Sequence, residues 1–200
     1  MLTGYRNLTW LKSRLLPADM GEDTDFDGDI TAIAQGVAAA FDAATGRKLR
    51  RDAAATFECP ADRESVVLTS YPIESITSAD LLFGGTTTDV SGSIMGLQNG
   101  SGIVDFGGQI GSHLDRLVIV SAGGYWCDDD DSQPAGSAAL PDDLLNAWVM
   151  QCRATCEAEN TFRTKAAGSP DKKTGAGITL QTLDLLPKVR ATLQLHTRFP

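Results

Sequence analysis

The hydrophobic positions of this 200-residue chain change their period along its length. Over residues 29–45, Ile30, Ile33, Ala34, Val37 and Phe41 recur at three- and four-residue intervals, which puts them on one stripe of an amphipathic helix. Asp27 or Asp29 can cap its start, and Gly46 supplies the left-handed residue that ends it. A shorter helix is expected over residues 8–16, closed by Pro17. From residue 51 to about 124 the period falls to two and turn residues become frequent. Strands are expected at 56–59, 65–69, 76–83, 93–97, 102–106 and 116–120, with Asn99-Gly100 as a hairpin turn because both residues tolerate positive φ.

The helical period returns after Pro141. Leu145, Trp148, Val149, Cys152 and Cys156 form a second stripe on a helix expected to run to about residue 165, with Pro141 in the first turn and Asp142 and Asp143 at the positive end of the dipole. Before it, Asp128 to Asp131 open a self-repelling polar loop. Residues 166–177 read as a flexible linker and 187–196 as a last short helix. The expected fold is therefore mainly α with a β-insert. A small helical bundle spans 1–165, an antiparallel hairpin or sheet is inserted at about 51–124, and a C-terminal helical arm occupies 178–200. The two long stripes are expected to bury each other.

Composition narrows the class. A hydrophobic fraction of 42 % supports a real core, and a charged fraction of 22 % is ordinary. No apolar run approaches the roughly 18 residues of a membrane span, and the N-terminus lacks a basic-then-apolar signal, so a soluble, intracellular protein with no membrane partner is expected. The cysteines (59, 127, 152 and 156) are not spaced as a disulfide framework; Cys152 and Cys156 read as core residues, since no Cys-x-x-Cys or His pair completes a zinc set. Charge is uneven. Residues 1–160 hold 10 Lys+Arg against 24 Asp+Glu, a balance of −14, whereas residues 161–200 hold 7 against 2, a balance of +5. The body repels polyanions, and the tail suits an acidic partner.

Candidate chemistry is sparse. Asp23, Asp25, Asp27 and Asp29, with Gly28 and Ile30, match the opening of a calcium loop, which makes a small calcium-binding module the alternative reading. The bidentate acid expected at the twelfth position is replaced by Ala34. The plainer role of these acids is to cap the following helix. His113 and His196 are far apart, no nucleophile or phosphate-loop motif occurs, and neither an enzyme nor a cofactor is expected. Arg47-Lys48-Leu49-Arg50-Arg51 and Lys172-Lys173 are the nucleic-acid candidates, but the first follows a helix end where cations suit the dipole. An acidic body also disfavours tight duplex binding.

Several stretches carry a family resemblance in their order. They are Ala43-Ala44-Thr45-Gly46-Arg47, Tyr71-Pro72-Ile73-Glu74-Ser75-Ile76-Thr77-Ser78, Asn99 to Phe106, Val118 to Tyr125, Leu140-Pro141-Asp142-Asp143-Leu144 and Leu186-Pro187-Lys188-Val189-Arg190. Together, over about residues 29–198, the chain resembles the head–tail connector (adaptor) proteins of long-tailed bacteriophages. The resemblance implies a virion neck protein assembled in the host cytoplasm, forming a ring of about twelve copies. Its implied partners are the portal protein, a tail-completion or tail-terminator protein and further copies of itself. Double-stranded DNA would pass through the channel without specific binding, and the ring would help retain it. On this reading the basic C-terminal residues Lys172, Lys173, Lys188, Arg190 and Arg198 engage the portal. Twelve copies at −9 would give a ring of roughly −100 formal charge, along which DNA slides without sticking.

Overall fold

A computed structural model describes residues 4–17, 24–127, 132–158 and 184–197. The chain divides into two compact units. The first comprises Met1–Thr45, Asp128–Ser132 and Leu140–Pro200; the second comprises Gly46–Cys127 and Gln133–Ala139.

In the first unit, helix α1 spans Leu8–Leu15. Asn7 caps it, its side-chain oxygen accepting from the Trp10 N–H at 2.8 Å, and the chain turns extended at Leu16 before Pro17. Helix α2 spans Asp27–Thr45, beginning with Asp27 and Asp29 in its first turn. All five residues of its expected stripe are buried. The helix ends where the Thr45 hydroxyl donates to the Phe41 carbonyl and Gly46 adopts φ +66°.

Helix α3 spans Asp142–Ala158, with Leu145, Trp148, Cys152 and Cys156 buried and Val149 half-buried. The two stripes pack against each other as expected, and the Trp148 indole N–H donates to the Ala34 carbonyl of α2 at 3.2 Å. Helix α4 spans Pro187–Leu195, with Pro187 at its start, and buries Val189 and Leu193 against α3 and α2. Buried Gln151 ties down the approach to α4. Its amide nitrogen donates to the Asp184 carbonyl at 3.3 Å, and its oxygen accepts from the Leu186 N–H at 2.9 Å. Residues 159–183, which include the expected linker, lie outside the described residues.

The second unit is all β. Its strands are β1 (Asp52–Pro60), β2 (Ser65–Val67), β3 (Ile73–Phe83), β4 (Thr86–Asp89), β5 (Gly96–Gln98), β6 (Ile103–Asp105), β7 (Arg116–Gly123), β8 (Tyr125–Trp126) and β9 (Ala138–Ala139). They form a four-stranded antiparallel sheet in the order β1-β7-β3-β4, a three-stranded antiparallel sheet in the order β2-β6-β5, and the short parallel pair β8-β9. Val66, Leu68, Ile73, Ala79, Val104, Phe106, Leu117 and Ile119 are the heart of its core.

A mainly α fold is thereby overturned. Among the described residues 35 % are helical and 31 % lie in strands. The physical reason is that the alternating segment has a hydrophobic core of its own. It is a compact unit in its own right, not an ornament on a bundle.

Two local differences follow from turn chemistry. Asn99-Gly100 does join two strands, but the loop runs over residues 99–102 and its left-handed residue is Gly102 at φ +75°. The unforeseen strand β4 follows Gly84-Gly85, both at positive φ, the backbone that a two-residue hairpin turn demands.

Arg47 is also unlike its expected role. Its side chain is buried, its guanidinium lies 3.6 Å from the Tyr71 ring centroid and 5.1 Å from that of Tyr125, and it donates to the Tyr71 carbonyl. Arg51 clasps Glu74 through two hydrogen bonds of 2.8 and 2.7 Å, which raise the guanidinium pKa further. Two of the four cations in this basic run therefore build the fold.

Candidate interaction surfaces

The described cations of the C-terminal region project from α4. Burial of Val189 and Leu193 on its inner side leaves Lys188 and Arg190 exposed on its outer side. Arg190 pairs with exposed Asp184, a surface contact of little energetic weight. Leu185, Arg190, Leu193, Gln194 and Thr197 also line a shallow cavity of about 270 Å³. Lys172, Lys173 and Arg198 lie outside the described residues.

The structure assembles one contact that the sequence did not suggest. The His196 Nε2 lies 2.8 Å from Asp143 Oδ2, linking the end of α4 to the start of α3. Burial raises the Asp143 carboxyl, but the His196 hydrogen bond, the Leu144 backbone N–H and the His196 charge outweigh it, so the pKa falls below its ordinary 3.8. A lowered native pKa contributes stability above the unfolded value and loses it as pH falls through the folded value. Acidification below about pH 4 is therefore expected to loosen α4 first, and Asp143→Asn to loosen it already at neutral pH. Hydrogen exchange along residues 187–195 is the measurement. Equal protection of α4 in parent and variant across pH 3–7 would contradict this latch. The pair holds the end of α4 to the start of α3.

Of the four aspartates matched to a calcium loop, Asp23 lies outside the described residues. Asp27 Oδ1 accepts from the nearly buried Lys12 ammonium at 2.7 Å, which ties α1 to the start of α2. Asp25 and Asp29 are exposed. Among the described residues no group of three or more His, Cys, Asp or Glu side chains could hold a metal ion.

Two further surfaces are composed by the fold. On the four-stranded sheet, the register aligns Glu58, Val118, Asp80 and Asp89 in one row across all four strands. The next row on that face holds Pro60, Arg116, Leu82 and Thr87. Asp80 and Asp89 are directly opposite in register, the Asp89 carboxylate accepting from the Ser91 N–H at 2.9 Å, and Arg116 is engaged by Glu58. The β3–β4 hairpin ends in Phe83, which is 66 % exposed, and Leu114, 78 % exposed, lies at the same end of the sheet.

In the helical unit, α1 and α3 flank a cavity of about 450 Å³. Trp10, Leu145, Val149 and Met150 give it an apolar part, and Arg14, Arg153, Asn146 and Asp142 an equally large polar part. The Arg14 guanidinium stands 5.3 Å from the Trp10 ring centroid, and Arg153 donates to the Arg14 carbonyl at 2.6 Å.

No family model matches the chain, and no curated protein matches it. Solved structures do. A chain of the neck of an empty gene transfer agent (GTA) particle, computed with C6 symmetry, superposes with a TM-score of 0.58 at 16 % identity, covering 96 % of this chain and 89 % of its own. A chain of the native GTA virion superposes at 0.54 and 17 % identity with the same coverage. At such identity the likeness is one of fold, and it extends over both units.

Proposed function

We propose that this protein is a head–tail connector of a long-tailed, phage-like particle. It forms a ring between portal and tail, located in the neck of the virion and assembled in the host cytoplasm. The ring extends the channel through which double-stranded DNA passes and helps to retain it. The observation that carries this reading is the fold shared with a particle-neck chain over 96 % of the present chain. The C6 symmetry of that neck is compatible with a ring of about twelve copies, a multiple of six.

Charge supports the same role. A body with a balance of −14 over residues 1–160 repels DNA and suits a conduit better than a clamp. Partners on this reading are the portal protein, a tail-completion or tail-terminator protein, and neighbouring copies. Exposed Lys188 and Arg190, with Lys172, Lys173 and Arg198, are the proposed portal contacts.

Electron microscopy of the full chain mixed with its portal tests the proposal: a ring capping one end of the portal is expected. Bare portals at low salt, with the chain in excess, would sink it. The double variant Lys188→Glu, Arg190→Glu should weaken portal binding by about tenfold and flatten its salt dependence, as rim charges do. Unchanged binding would remove α4 from the contact.

A further inference from the structure

The three-stranded sheet β2-β6-β5 ends on an edge that its sequence leaves unguarded. We propose that residues 178–182 of one copy add as a strand to the β5 edge of a second copy. This rests on the ring reading and deepens it by naming the contact between neighbouring subunits.

The edge is open in backbone and in side chains. Strand β5 is the outer strand of its sheet and, among the described residues, pairs on one side only, with β6. The register sets Val66, Val104 and Leu97 directly opposite one another, in one row on one face of the three strands. Val66 and Val104 are buried, whereas Leu97 is 38 % exposed, so the apolar row runs out into solvent at β5. Met95, just before the strand, is 78 % exposed. Edge strands are ordinarily blunted by charged side chains or proline, and residues 90–104 contain neither.

The chain itself carries a sequence to match. Residues 178–183 (Ile-Thr-Leu-Gln-Thr-Leu) lie outside the described residues. They carry no charge, and Ile178-Thr179-Leu180-Gln181 alternates apolar with polar, the pattern of a half-buried strand. The other long stretches outside the described residues lack it: 18–23 and 128–131 are acidic, and 159–177 is polar and rich in alanine and glycine. A pairing that sets Leu180 beside Leu97 extends the row Val66-Val104-Leu97 by one apolar side chain, and the two-residue period puts Ile178 on the same face. Charge favours this site as well. Copies at −9 each repel one another, and here both partners are uncharged. The segment is also tethered. The Asp184 carbonyl and the Leu186 N–H are held by Gln151, so Ile178 reaches at most about 22 Å from Asp184. The neighbour's β5 therefore lies close to the start of α4. Added strand and open edge are different surfaces, so the contact is head-to-tail and repeats from copy to copy as a ring requires.

The test replaces Leu180 by a photoreactive benzophenone amino acid in the full-length chain. Isotope-labelled and unlabelled copies are mixed, assembled on the portal, irradiated and mapped by mass spectrometry. Crosslinks from residue 180 of one copy to residues 94–98 of another are expected. Crosslinks only to other segments, only within one chain, or only to portal or tail protein would overturn the proposal, as would rings that yield no crosslink.

Blocking each partner gives a second reading. Leu97→Lys puts a charge on the edge, and Leu180→Pro removes a backbone donor from the added strand. Each should lower ring assembly on the portal at least tenfold. Circular dichroism first verifies that each variant is folded. Rings that form normally with either variant defeat this contact but leave the connector reading intact. A parent chain that makes no ring on the portal defeats both.

Discussion

Trp148→Ala is expected to destabilise the helical unit by about 3–5 kcal/mol, the range for a fully buried large aromatic truncated to a methyl group. Trp148 is completely buried and stands where three segments converge. Tyr5 meets it edge-on with ring centroids 5.5 Å apart. Its N–H reaches the Ala34 carbonyl. The backbone at Gly4 lies so close that an added Cβ would be 2.7 Å from the indole Cζ2.

Removing the indole deletes packing against α2 and the N-terminal segment at once, and a wall of helix backbone can collapse only partly into the space. Trp148→Phe keeps most of the volume and loses the N–H, so about 1–2 kcal/mol is expected. Urea denaturation followed by circular dichroism measures both, with hydrogen exchange assigning the loss to residues 27–45 and 142–158. An Ala variant within about 1 kcal/mol of the parent would mean that the site relaxes freely, contrary to this packing.

Gly123→Ala should be nearly as damaging to the β unit, by about 3 kcal/mol, at the upper end of overpacking effects. A Cβ there would lie 2.3 Å from the Ser70 carbonyl oxygen and 3.0 Å from that of Pro72. Both obstacles are backbone, so no rotamer change can clear them. The residue is also held on both sides, paired with Asp52 of β1 and Ile73 of β3. Neighbouring Gly124 compounds the constraint, with φ +94° and the Arg50 carbonyl 2.7 Å from its would-be Cβ. The expected result is a lower thermal midpoint with exchange protection lost in residues 73–83 and 116–123. A midpoint within error of the parent would show that the 70–72 segment yields easily. As a comparison, Gly28→Ala on α2 meets nothing within 4 Å and should be harmless or mildly stabilising.

The helical frame was legible because its signals are local. The stripe Ile30–Phe41 and the stripe Leu145–Cys156 follow from a 3.6-residue repeat, and each helix start carries acids in its first turn. Strands β2, β3, β6 and β7 were legible in the same way, from alternation bounded by turn residues. The hairpin β3–β4 could have been read from Gly84-Gly85, a turn signal as strong as Asn99-Gly100. Its strand β4, Thr86–Asp89, is exposed throughout and shows no alternation to detect.

What period and composition determined was where α1–α4 and strands β1, β2, β3, β5, β6 and β7 form, which residues line each helical core stripe, and that the body is acidic. Tertiary structure decided the rest. It made the β segment a unit with its own core, turned Arg47 from a surface cation into a buried platform between two tyrosines, and joined His196 to Asp143. It also brought Asp80 opposite Asp89 and gathered Trp10, Arg14 and Arg153 into one groove. The physical reason is the range of the forces that choose. Helix period, capping and turn geometry act within a few residues, so the chain displays them directly. Strand register and helix docking join residues tens to more than a hundred positions apart, and only burial of the shared core selects among the pairings that local preference permits.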